Sequence, residues 1–227
     1  MKVILFGGSG MVGQGVLREC LIDPHVEKIL ALGRSSIRND NPKLQSLALP
    51  DLRDYGPIEA QLSGYDACFF CLGISSVGMT EAEYRRITRD IAVAAANALV
   101  KLNPDMTFIF VSGTGADSSE KGKIMWARVK GEAENAILRL PFKGAYIFRP
   151  GIIQPLHGIQ SRTRAYRLLY ALTRPLLPVL KRILGAHMTT TENIGRAMLA
   201  LVRQGQESRI LENKDINAVV ARISAKT

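Results

Sequence analysis

No run of eighteen apolar residues occurs anywhere in the chain, so no segment offers a helix that crosses a bilayer. Cysteine is scarce: Cys20, Cys68 and Cys71 are the only three, which argues against a disulfide framework. Cys68 and Cys71 form a C-x-x-C inside the apolar run 67–72. That setting predicts a buried strand, not a redox turn or a zinc knuckle. The three histidines (His25, His157, His187) each lack a second ligand at metal-site spacing, so no metal is expected. Zinc-finger spacing, heptad arrays and basic blocks interleaved with aromatics are also missing, and nucleic acid is not an expected partner. A first strand that begins at Lys2 predicts no signal peptide, and with so few thiols the expected compartment is the cytoplasm. Acidic residues fall short as well, 20 against 30 basic ones, for a formal charge of +10. That balance suits an anionic partner, a phosphorylated cofactor among them.

What is present begins at once. Lys2-Val3-Ile4-Leu5-Phe6 is an apolar strand running into Gly7-Gly8-Ser9-Gly10-Met11-Val12-Gly13. Glycines 7, 10 and 13 fit G-x-x-G-x-x-G, while glycines 8, 10 and 13 fit the dinucleotide fingerprint G-x-G-x-x-G. A helix-like stretch, 14–22, follows. Such a turn brings the backbone close to a pyrophosphate and sets the free N–H groups of a helix N-terminus against it.

Beyond it, apolar runs alternate with helical patterns, the signature of βαβ units and a parallel sheet. Strands are predicted at 2–6, 28–33, 45–49, 66–72, 106–112 and 144–149, and helices at 12–22, 56–62, 82–102 and 122–139. The expected fold is α/β, a Rossmann-like doubly wound parallel sheet with a small C-terminal substrate lobe. Residues 1–151 form the dinucleotide-binding core. Residues 152–188, where the alternation fails, form the lobe, and 189–227 return to the core as a helix from 192 to 204 and a strand near 208–211.

The second strand ends at Gly33-Arg34-Ser35. An NAD-binding chain places an acidic residue there for the ribose 2′-hydroxyl. Arg34 suits a 2′-phosphate instead, so NADP(H) is favoured over NAD(H). The segment 162–174 carries four arginines among tyrosines and leucines. A lid or subunit contact is preferred for it over peripheral membrane binding.

The chain resembles the extended or atypical short-chain dehydrogenase/reductases. Within them it resembles the oxidoreductase Tat-interacting protein group and bacterial proteins of the NAD-dependent epimerase/dehydratase type. The likeness rests on the glycine turn, Phe70-Cys-Leu-Gly73, Arg89-Asp90, Gly115-Ala-Asp117, Val129-Lys-Gly-Glu132, Phe148-Arg-Pro-Gly151 and Leu211-Glu-Asn-Lys214. It implies that Asp51 and Leu52 contact the adenine and that Leu72-Gly73 lie beside the adenosine ribose. Pro150-Gly151 would border the nicotinamide, and Ser112 would be the active-site serine. Together with Gly7, Gly10, Met11, Val12, Gly13, Arg34 and Ser35, these are the expected cofactor and site residues.

One departure limits the inference. The family's Tyr-x-x-x-Lys reads here Trp126-Ala-Arg-Val-Lys130. The (i, i+4) spacing keeps both side chains on one helix face, and Lys130 is in place to bind the nicotinamide ribose. The indole N–H of Trp126 donates a hydrogen bond but cannot exchange a proton near neutrality. Three readings stay open. Ser112, Thr114, a water or Tyr84, approaching from the loop side, acts as the acid; the acceptor is a conjugated one and needs no enzyme acid; or the chain binds NADPH without turnover, as NmrA-like regulators do. A sugar-nucleotide epimerase or dehydratase is a weaker fourth. The expected partner is a small-molecule substrate or a protein, and the chain a monomer or homodimer.

Overall fold

The computed structural model describes residues 1–160 and 185–225; the basic segment 162–174 lies outside them. Seven parallel strands make one sheet in the order β3-β2-β1-β4-β5-β6-β9. They are β1 (Lys2–Phe6), β2 (Lys28–Gly33), β3 (Leu44–Ala48), β4 (Ala67–Phe70), β5 (Thr107–Val111), β6 (Gly144–Arg149) and β9 (Ile210–Glu212). Two short strands, β7 (Ile152–Gln154) and β8 (Met188–Thr190), pair in parallel outside it. The order reverses between β1 and β4, and in such sheets that switch point opens the ligand crevice at the carboxyl ends of the strands.

Each central strand is apolar throughout because both faces are covered. Val3 and Leu5 point to one face, where α1 (Met11–Ile22), α5 (Thr191–Gln204) and α6 (Asn213–Ser224) supply Val16, Leu17, Ile194, Met198 and Ile216. Ile4 and Phe6 point to the other, against α3 (Ile91–Leu102) and α4 (Met125–Leu138) through Ala92, Ala95, Leu99, Ala133 and Ile137. Aromatic rings run across this second face: Phe6 lies 5.0 Å from Phe70, and Phe70 lies 5.8 Å from Phe110. The C-x-x-C is divided by the same alternation. Cys68 packs on the α3–α4 face and Cys71 on the α1 face, both as free thiols.

Several elements differ from expectation. The segment 56–62 forms a 3₁₀ turn, Gly56–Gln61, with Pro57 in its first turn. The predicted helix 82–102 is divided. A capping box at Thr80 and Glu83 starts α2 (Glu81–Arg85), a π-helical turn spans Arg86–Asp90, and α3 follows. Residues 210–212 extend the main sheet and lead directly into α6, a helix the alternation pattern did not predict.

Candidate functional site

The glycine turn resolves into one frame. Gly7 has φ +73°, and a Cβ there would lie 2.7 Å from the Leu72 nitrogen; a Cβ on Gly13 would lie 2.1 Å from the Gly7 carbonyl oxygen. Both positions therefore exclude any side chain, and the 7/10/13 frame is the one the backbone obeys. The Gly10 N–H donates to the Gly7 carbonyl at 2.9 Å, closing the turn. Helix α1 then opens at Gly10 with no side-chain cap and no acidic residue in its first turn. The N–H groups of Met11, Val12 and Gly13 find no partner among the described residues. An uncapped helix start with a crowded glycine cradle is a donor set for phosphate oxygens.

The neighbouring strand ends complete the rim. Cys71 and Leu72, just past β4, pack onto Gly7, and the space around Gly73 is open. At the end of β2, Arg34 and Ser35 are exposed, and Arg34 forms no ion pair among the described residues. Arg38, also exposed, is a second cation four residues on. Asp51 is exposed and held by Arg53 at 2.7 Å, whose guanidinium lowers its pKa to about 2. Leu52 is only 3% exposed and belongs to the core with Leu30 and Phe6. Its side chain is committed to packing, and its carbonyl accepts the Tyr55 hydroxyl.

The second half of the crevice is built on β5, α4 and β6. Ser112 follows β5, buried, with its N–H bonded to the Phe148 carbonyl at 2.7 Å. Its hydroxyl oxygen is buried without a hydrogen-bond partner, an orphan of the kind that marks a site. By strand alternation Ser112 lies on the same sheet face as Phe110, the face that α4 covers. Lys130 on α4 sets its ammonium 5.9 Å above the Phe110 ring. Ser112 and Lys130 thus both lie on the α4-facing side of β5. Lys130 is half-buried by area, but its amine lies deep among protein atoms. This desolvation, only partly offset by Glu134, lowers its pKa to about 8. Trp126, one turn earlier, is half-buried, with its six-membered ring against Gly115.

A buried ion pair anchors this half. Glu134 is fully buried, and the Arg149 Nε lies 3.1 Å from each of its oxygens. Arg149 also donates to the Ser118 hydroxyl at 2.5 Å, and its carbonyl accepts from the Thr114 hydroxyl at 2.9 Å. The loop from Ser112 to Ser118 is thereby tied to the end of β6, where the Pro150 carbonyl accepts the Thr114 N–H at 3.1 Å. Asn213, at the start of α6, receives the Gly151 N–H at 3.3 Å and donates to the carbonyls of Ile152 and His187. The anchoring roles of Glu134, Arg149 and Asn213 are not predicted from the sequence. The signals were a carboxylate inside an apolar helix face and an amide at a helix start. Tyr84 is a correction. It does not approach the crevice from a loop; it is buried within α2, which packs on α4, and burial raises its pKa.

The glycine turn and the parallel sheet with its switch point are similar to those of the atypical short-chain dehydrogenase/reductases. The comparisons agree with this likeness. The chain is 26% identical to protein fmp52-2, mitochondrial, of Aspergillus oryzae, over 93% of each chain. It is 28% identical to protein HTATIP2 of Rattus norvegicus, over 67% of this chain and 62% of that protein. No family model matches. The fold is shared with the enzyme WbmF of Bordetella bronchiseptica in complex with NAD+ (TM-score 0.68, 13% identity, 99% of this chain and 77% of that one). It is shared equally with Gre2 of Candida albicans in complex with NADPH (TM-score 0.68, 14% identity, 93% and 77%). The cytoplasmic expectation is contradicted: the fungal relatives are named mitochondrial. Scarce thiols separate reducing from oxidising surroundings and cannot distinguish cytosol from the mitochondrial interior.

Proposed function

We propose that this protein is an NADP(H)-dependent oxidoreductase that reduces a small carbonyl or conjugated acceptor. The observation that carries the reading is one conjunction at the carboxyl edge of a parallel sheet. An uncapped helix start with three free N–H groups lies at one strand end, and a buried, unpartnered serine hydroxyl lies at another, on the sheet face where the half-buried Lys130 sets its ammonium over Phe110. The N–H groups of Met11, Val12 and Gly13 hold the pyrophosphate, and Arg34, with Arg38 nearby, holds a 2′-phosphate. Lys130 binds the nicotinamide ribose, Pro150 and Gly151 border the ring, and the Ser112 hydroxyl orients the substrate oxygen. Reduced nicotinamide supplies a hydride when bound. Titration with NADPH followed by an acceptor screen at the nicotinamide absorbance tests this. Lys130→Ala is expected to weaken NADPH binding roughly tenfold or more and to lower turnover with it; unchanged binding and turnover would remove the site assignment.

Trp126 favours one second reading, a non-catalytic NADPH sensor or scaffold. In that case NADPH binds, and neither the wild type nor Trp126→Tyr oxidises it with any acceptor.

A further inference from the structure

We propose that Lys130 is itself the proton donor of the reduction, acting from the helix face where Trp126 has displaced the family's tyrosine. This rests on the oxidoreductase reading above. The Trp126 indole does not ionise near neutrality. The Thr114 hydroxyl proton is already given to the Arg149 carbonyl. Tyr84 is buried within α2, and burial holds its proton more tightly. The Ser112 hydroxyl is free but orients the oxygen without a base of its own among the described residues.

Lys130 differs from all of these. Its ammonium rests over the Phe110 ring and forms no ion pair among the described residues. The charged groups nearby have other partners. On α4 itself Arg128 binds Glu81, and Glu132 is held by Arg85 and Arg89 from α2 and the π-helical turn. Asp90 binds Arg89, and Arg149 from β6 binds Glu134. Of these groups only Glu134 acts on the Lys130 charge, and burial outweighs it. The amine can therefore gain and lose a proton close to neutral pH, which suits an acid catalyst. Three N–H donors let it hold a ribose hydroxyl and still offer one to a substrate.

The step balances. A reduced nicotinamide held in the crevice would supply the hydride to the carbonyl carbon as the C=O π pair moves to oxygen. That oxygen takes a proton from Lys130 Nζ, and the neutral amine recovers a proton from water.

Lys130→Arg keeps the cation and its donors but cannot release a proton. In this variant, calorimetry is expected to give NADPH affinity within about threefold of wild type. Reduction of 4-nitrobenzaldehyde should fall by roughly 100-fold or more, and the wild-type rate should decline as pH rises through about 8. Independently of turnover, ¹⁵N-lysine NMR should show an Nζ titrating near pH 8, lost in the variant. A Lys130 midpoint above 10, or a variant as fast as wild type, overturns the proposal and leaves the oxidoreductase reading standing. Wild type that binds NADPH and oxidises it with no acceptor overturns both.

Discussion

The two halves of the crevice are made of different material. Around Gly7–Gly13 the site is backbone: two glycines with no room for a Cβ, and a helix start without a cap. Around Ser112 and Lys130 it is side chains, held by the Glu134–Arg149 pair and the Asn213 amide. A backbone site follows from local sequence and tolerates almost no substitution. A side-chain site depends on distant partners, so its framework can persist while one group is exchanged; Trp126 stands where the reductases that the chain resembles carry a tyrosine.

The sharpest test of that contrast removes the anchor of the side-chain half. Glu134→Ala leaves the Arg149 guanidinium unpaired in a buried setting and should cost about 3–5 kcal/mol in chemical denaturation; a loss below about 1 kcal/mol would deny the anchoring role. Next comes the backbone half. Gly13→Ala drives a Cβ into the Gly7 carbonyl and should lower NADPH affinity by roughly 100-fold or more, about 2.7 kcal/mol.

The Lys130 amine gives a smaller effect of opposite sign. Its folded pKa of about 8 lies below the usual 10.5, so between these values the unfolded chain binds more protons and stability rises with pH. Lys130→Met should therefore stabilise the protein without cofactor by about 1–3 kcal/mol at pH 7, and the gain should vanish by about pH 10.5. An equal gain at both pH values would show that packing, not charge, is responsible. Smallest is Asp51→Asn: the carboxylate is exposed and already held by Arg53, and melting should shift by less than about 1 °C between pH 5 and 8.

Much of this was legible from residues alone. Period-two and fully apolar runs located the six strands from β1 to β6 to within one or two residues at most ends. The glycine turn does follow β1 and open α1, as its spacing predicts. Arg86–Asp90 read as continuous helix because a π-helical turn keeps the same apolar recurrence and changes only the bonding. Helix α6 was missed although Ile216, Val219, Val220 and Ile223 stand at i, i+3, i+4 and i+7, a pattern obscured by the short strand directly before it. The roles of Glu134 and Asn213 had no local sign, since each acts on backbone or side chains 15 to 62 residues away. Leu52 shows the reverse: a residue carried over by resemblance whose side chain the fold uses for its core.

The proposal has the glycine turn and Arg34 together holding NADP(H). Calorimetric titration of the wild type and of Arg34→Ala with NADPH and NADH tests it most directly. The expected result is NADPH binding at least about tenfold tighter than NADH in the wild type, with that preference lost in the variant while NADH affinity is unchanged. Tight NADH binding with none for NADPH would contradict it.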